Sequence, residues 1–227
     1  MKFLNLFLLL IGGVQLVNGQ TETNKSYNTG YNNWYYDSRE LLYQGLKDTK
    51  VDIVFFGNSI TERGPWHDVF GDKYKIANRG IGGDNTYGMK ARIADVVSTK
   101  PKKIFLMMGI NDIGRGLPTD SILKNYEEII QIIKNNSPKT KIYAQSTLPL
   151  NESKITMDYL KGREQDIRSL NTGIVALTKK YNITFVNVKE VLADDYVLKP
   201  YFTADGIHLN ADAYVEWTKY LKNKKYL

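Results

Sequence analysis

With only two histidines in the chain, a general base has few places to come from. His208 lies in the run Thr203-Ala204-Asp205-Gly206-Ile207-His208-Leu209-Asn210, just before an expected terminal helix, with a carboxylate three residues upstream. A carboxylate that accepts from Nδ1 fixes the imidazole tautomer that leaves Nε2 free to take a proton. His67 follows Pro65-Trp66 at an expected helix start and has no such partner in view, so a structural place is expected for it. The natural donor of the proton is Ser59, in Gly57-Asn58-Ser59-Ile60-Thr61, where a strand should turn sharply into a helix. Gly-x-Ser alone decides nothing, because a serine caps a helix as readily as it attacks a carbonyl. Joined to Asp-x-x-His and to two further glycine-rich turns, it points to acyl transfer through a serine nucleophile.

Those turns sit where strands should end. Val51 to Phe56 is a short apolar, β-branched run stopped by Gly57; Tyr74 to Asn78 leads into the glycines at 80, 82 and 83; Lys103 to Met108 is stopped by Gly109. Lys141 to Ser146 and Ile183 to Val188 supply a fourth and a fifth strand. Between them the spacing predicts helices over roughly Thr86 to Ser98, Thr119 to Lys134 and Tyr159 to Lys180, and a last one from Asn210 to Lys222. In the third, Leu160, Ile167, Leu170, Ile174 and Leu177 recur at three, four or seven, the spacing of one helical face. Short apolar strands alternating with helices imply a single α/β domain with a parallel sheet covered on both sides. In such sheets the functional crevice lies outside the carboxyl ends of the strands, where these turns should meet.

Four of the segments together resemble one family. Gly57-Asn58-Ser59-Ile60 is similar to the first block of the SGNH, or GDSL-like, hydrolases, usually Gly-Asp-Ser-Leu or Gly-Asp-Ser-Ile. Ile81-Gly82-Gly83-Asp84 is similar to the second block, Gly109-Ile110-Asn111-Asp112 to the third and Asp205-Gly206-Ile207-His208 to the fifth, in the right order and spacing from about Val51 to Leu221. The resemblance implies a flavodoxin-like three-layer sandwich with a central five-stranded parallel sheet of order 2-1-3-4-5. It implies Ser59 as nucleophile, His208 as base and Asp205 as its orienting acid. It also implies an oxyanion hole from the backbone N–H groups of Ser59 and Gly83 and the side-chain amide of Asn111. These residue types suit the work: glycine lets the backbone approach a substrate, and an amide is a neutral donor to developing negative charge. Asn58 stands where the family usually has aspartate; its amide oxygen can still accept a backbone N–H.

No metal or cofactor is expected: Asp84, Asp112 and Asp205 fit no ligand spacing, and Asp84 and Asp112 are read as structural ties between loops. Gly80-Ile81-Gly82-Gly83 follows the second expected strand rather than the first, so a dinucleotide-binding turn is a poor reading. The chain has no cysteine, which excludes disulfides and thiolate chemistry. Its net charge of +7 comes from scattered lysines without a nucleic-acid motif, so nucleic acid is not an expected partner.

Met1-Lys2, an apolar stretch to Val17 and Val17-Asn18-Gly19 have the layout of a secretory signal peptide over residues 1–19, too short and too interrupted for a stable membrane anchor. Residues 20–49 are expected to form an aromatic-rich lead and a helix that the rings Tyr27, Tyr31, Trp34, Tyr35 and Tyr36 pack onto the domain, with Leu41, Leu42 and Leu46 continuing the apolar face. Residues 50–227 are expected to form the hydrolase domain. The expected protein is a secreted or periplasmic serine esterase removing short acyl groups, acetyl above all, from O-acylated carbohydrates. A lysophospholipase or thioesterase of the same family is the enzymatic alternative. A catalytically idle glycan-binding module, stacking sugars on Tyr27, Tyr31, Trp34, Tyr35 and Tyr36, is the other. Oligomeric state is not legible in the chain.

Overall fold

A computed structural model describes residues 26–46 and 49–227; the expected signal peptide lies outside them. Five parallel strands, β1 (Ile53–Gly57), β2 (Ile76–Gly80), β3 (Lys103–Met107), β4 (Lys141–Gln145) and β5 (Thr184–Val186), form one sheet in the order β2-β1-β3-β4-β5. Every residue of β1 is buried, as a central strand covered on both faces requires. The register pairs Gly57 with Gly80 on one side and with Met107 on the other, so the three strands end abreast. The three glycine-bearing turns therefore leave the sheet along one edge.

Nine helices are described: α1 (Trp34–Gly45), α2 (Ser59–Glu62), α3 (Trp66–Phe70), α4 (Thr86–Ser98), α5 (Ile110–Gly114), α6 (Thr119–Asn136), α7 (Glu164–Tyr181), α8 (Lys189–Leu192) and α9 (Ala211–Asn223). α4, α6 and α7 pack side by side in one layer, and α9 packs with α3 and α8 in another. On the α3/α9 side the register partners Phe55, Phe105 and Tyr143 stack across three strands, with ring centroids 4.9 and 4.6 Å apart. Trp66 stacks on Phe55 at 3.9 Å and meets Trp217 of α9 edge-on at 5.0 Å. Burying each such ring stabilises the fold by about 1.5–3 kcal/mol relative to exposure.

Two expectations are corrected. The third long helix begins at Glu164 rather than Tyr159: Gly162 takes φ +70°, which ends a separate 3₁₀ turn (Asp158–Leu160), so Leu160 is buried from that turn and not from the helix. The lead helix docks by its rings, as expected, but its leucines do not continue the buried face. Leu41, Leu42 and Leu46 are exposed, and Tyr36 and Tyr43, seven residues apart on one face, are buried with Ile81 instead. The connection from Leu148 to Asp158, polar in composition, turns Leu148, Leu150 and Ile155 into the core. A small hairpin, β6 (Ala193–Asp194) with β7 (Val197–Leu198), follows α8 without an advance signal strong enough to read.

Candidate active site

Ser59 is the first residue of α2, capped by Asn58, whose side-chain oxygen accepts the Ile60 N–H at 3.0 Å. Aspartate would offer the same acceptor, so the amide preserves the turn while removing a charge beside the hydroxyl. A helix of four residues cannot satisfy its own last carbonyls. Here the side chains of its neighbours donate to them: the Tyr214 hydroxyl to Ile60 O at 2.6 Å, Trp66 Nε1 to Thr61 O at 2.8 Å and Asn78 Nδ2 to Glu62 O at 2.8 Å. Gly80 permits the approach of β2 to this helix, since a Cβ there would lie 2.2 Å from the Glu62 nitrogen.

His208 arrives from the far end of the chain. A bridge between Thr203 and Leu209 closes its turn, and the Asn210 side chain caps α9 immediately after it. Its Nε2 is 2.9 Å from Ser59 Oγ, and its Nδ1 is 2.6 Å from Asp205 Oδ2. The other Asp205 oxygen accepts the backbone N–H groups of His208 at 2.8 Å and Ile207 at 3.0 Å. Burial alone would raise the Asp205 carboxyl. The hydrogen bonds from the His208 ring and from these two N–H groups outweigh it and hold the group down to about 2. Asp205 thus stays charged beside the imidazole at any pH above about 3.

The second and third turns meet one another. Gly83 is exposed with φ +75°, a conformation in which glycine carries no steric penalty. Asn111 Nδ2 donates to the Asp84 carbonyl at 2.8 Å, using one of its two hydrogens and leaving the other for a ligand. Arg115 Nη2 donates to the Gly83 carbonyl at 3.0 Å, so α5 and the residue that follows it grip two successive carbonyls of this loop.

Asp84 and Asp112 act as ties. Asp112 accepts from the Thr86 N–H and hydroxyl at the start of α4. Asp84 pairs with Arg92, at 2.9 Å from its Nε. Burial pushes the Asp84 carboxyl up to about 6 against the pull of Arg92, and Asp112 adds to the rise. Arg92 also donates to Arg79 O at 2.8 Å and Gly57 O at 3.0 Å, joining the ends of β1 and β2 to the loop. Sequence reasoning passed over Arg92; its signal is an arginine among Met89, Ile93 and Val96 on the buried face of α4.

His67 lies elsewhere, on the surface, with Nε2 3.6 Å from Asp72 Oδ1. Two open hollows of about 690 and 620 Å³ lie at the opposite ends of the strands, bordered by Lys100 and Lys102, and hold none of the candidate residues. No described helix is long and apolar enough to cross a membrane.

Comparison with known proteins decides the family. The model of the GDSL-like Lipase/Acylhydrolase family matches residues 55–215, a span that contains Ser59, Gly83, Asn111, Asp205 and His208. The chain belongs to this family. Membership makes it a carboxylic ester hydrolase, and the α/β sandwich is that of its solved neighbours. A Streptococcus pneumonia protein provisionally described as a platelet activating factor is 32% identical, with a TM-score of 0.76 over 84% of this chain and 92% of that one. A GDSL-like lipase from Bacteroides thetaiotaomicron is 26% identical, with a TM-score of 0.72 over 85% and 98%. A carbohydrate acetylesterase from Sinorhizobium meliloti shares the fold at 16% identity, with a TM-score of 0.63 over 78% and 99%. Among curated proteins, an N-acylneuraminate cytidylyltransferase of Streptococcus agalactiae serotype V is 20% identical over 218 residues, 79% of this chain. The chain spans about half the length of that relative (50%).

Proposed function

We propose that this GDSL-family hydrolase removes acetyl and other short acyl groups from O-acylated carbohydrates through an acyl-enzyme on Ser59. The observation that carries the mechanism is the unbroken hydrogen-bonded chain Ser59–His208–Asp205. His208 takes the Ser59 proton as Oγ attacks the ester carbonyl. The same proton then goes to the departing alcohol, and water repeats the steps to free the acid. The Ser59 and Gly83 N–H groups and the remaining Asn111 hydrogen stabilise the oxyanion. Asn111→Ala is expected to lower kcat by about 10² to 10³ with little change in KM, because the donor acts on charge formed in the transition state. A large rise in KM at unchanged kcat in steady-state assays would make Asn111 a substrate-binding residue instead.

The short-acyl reading draws on the loops. The turns after β1 to β3 are short and glycine-punctuated, and the one long connection spends its apolar residues on the core, so neither supplies a wall for a long chain. Each methylene left in water forfeits about 0.8 kcal/mol of binding. Acetate esters should exceed octanoate esters in kcat/KM by at least about tenfold, a difference of about 1.4 kcal/mol. A 4-nitrophenyl ester series from acetate to palmitate measures this, and better turnover of octanoate or longer esters would replace the carbohydrate reading with the lysophospholipase one.

The alcohol side draws on neighbours named as a carbohydrate acetylesterase and an N-acylneuraminate cytidylyltransferase, and the signal-peptide pattern of residues 1–19 supports an enzyme that works outside the cytoplasm. A second reading follows from the Streptococcus pneumonia neighbour, since platelet activating factor is a phospholipid bearing an acetyl ester. Acetate release from O-acetylated sialic acid or acetylated xylan, set against release from that lipid, separates the two.

A further inference from the structure

Helix α1 lies outside the residues that match the family model, yet it touches Glu62 at the end of the helix that Ser59 opens, and Gly80 and Gly82 on the way to Gly83. Asn33 caps it, and the buried Tyr36 and Tyr43 rings anchor it, their hydroxyls donating to Gly88 O at 2.9 Å and Gly80 O at 2.7 Å. The half-buried Tyr35 donates its hydroxyl to Glu62 Oε1 at 2.6 Å, and Arg39 Nε is 3.4 Å from the same oxygen. Glu62 closes the short helix that Ser59 opens. A Cβ on Gly82 would sit 3.5 Å from the Tyr35 ring, so that ring borders the residue before Gly83. Trp34 meets Tyr35 edge-on, with centroids 5.6 Å apart, and is 81% exposed.

Tyr36 and Tyr43 hold the helix; an exposed tryptophan adds nothing to that anchorage. We propose that Trp34 and Tyr35 form a stacking subsite for the pyranose ring that carries the ester, an assignment that rests on the carbohydrate reading of the Ser59 site. An acetyl group offers the enzyme one methyl, so the binding that orients the ester must come from the remote part of the substrate. A pyranose is suited to this pair: its C–H face lies flat on an electron-rich ring while its hydroxyls remain in water. The polar groups beside the rings, Glu62 and Arg39, suit a hydroxylated ligand and not an acyl chain. Leu41, seven residues on from Trp34, shares its side of the helix and is 71% exposed, so a contact between two copies of the chain is the competing use of this face.

Trp34→Ala and Trp34→Phe, assayed on acetylated xylooligosaccharides and on ethyl acetate, test the assignment. Ethyl acetate has no ring to stack. The alanine variant should lower kcat/KM for the sugar ester at least about fivefold more than for ethyl acetate, with the difference in KM, and phenylalanine should recover most of it. Equal losses on both substrates, or none, would overturn the subsite. A monomer–dimer shift in the alanine variant by light scattering, at an unchanged substrate ratio, would give the face to self-association instead. A wild-type enzyme that cleaves ethyl acetate and no sugar ester refutes the carbohydrate reading itself, a failure visible before any variant is made.

Discussion

Replacing either Ser59 or His208 with alanine is expected to lower kcat by about 10³ to 10⁶, with each variant retaining the wild-type fold. The two side chains form one 2.9 Å hydrogen bond contributed by residues 149 positions apart, and neither does work that the core needs. Ser59 is partly exposed, and its cap and the carbonyl partners of its helix belong to Asn58, Tyr214, Trp66 and Asn78. Removing one oxygen from the surface of that turn therefore leaves its supports in place. His208 is anchored through its backbone N–H to Asp205, a bond that alanine keeps. Because the two act as one unit, the double variant should be scarcely slower than either single one. Burst kinetics with 4-nitrophenyl acetate give the comparison. A purified, folded variant that keeps more than about a tenth of wild-type turnover would remove its residue from the mechanism.

Much of this site is legible in the chain because it sits where secondary structure changes. The strands ending at Gly57 and Met107 announce themselves by an apolar run and a following small-residue turn; β2, with Asn78 and Arg79 in it, is marked mainly by the glycines, and parallel pairing then sets the three ends side by side. The alternation of strands and helices gives the parallel sheet, and the family resemblance supplies its strand order. What resists reading is contact at long sequence separation. Nothing local tells that Arg92 reaches Gly57, Arg79 and Asp84 at once, although its place on an apolar face is a hint. The lead helix misleads for a related reason: its leucines and tyrosines are both apolar by composition. The tyrosines win the buried side because their hydroxyls can satisfy the Gly80 and Gly88 carbonyls there, which leucine cannot. The start of α7 is obscured by coincidence. Leu160 falls seven residues before Ile167, in phase with the helix but across a glycine in a left-handed conformation that breaks it.

Asp205→Asn is expected to lower kcat by about 10⁴ near neutral pH while changing KM little. The carboxylate accepts from His208 Nδ1, from the His208 and Ile207 N–H groups and, at 3.5 Å, from the Thr203 hydroxyl. Asparagine can still accept the backbone pair through its oxygen. Its NH₂ group, facing Nδ1, then favours the tautomer with the proton on Nε2, which cannot take a proton from Ser59. The loss is thus one of proton placement and of counter-charge for the imidazolium, not of the turn itself. The pH dependence separates these contributions from a folding defect. The wild-type carboxyl is held at about 2, below its ordinary value, so the stability it lends is complete above the ordinary carboxyl range and is lost only as pH falls through about 2. Between pH 4 and 8 Asp205 does not titrate and keeps its charge, so across this range the variant should lose activity while its unfolding midpoint stays close to that of the wild type. An unfolding midpoint that falls in step with the activity would show that Asp205 supports the turn and does not act on the base.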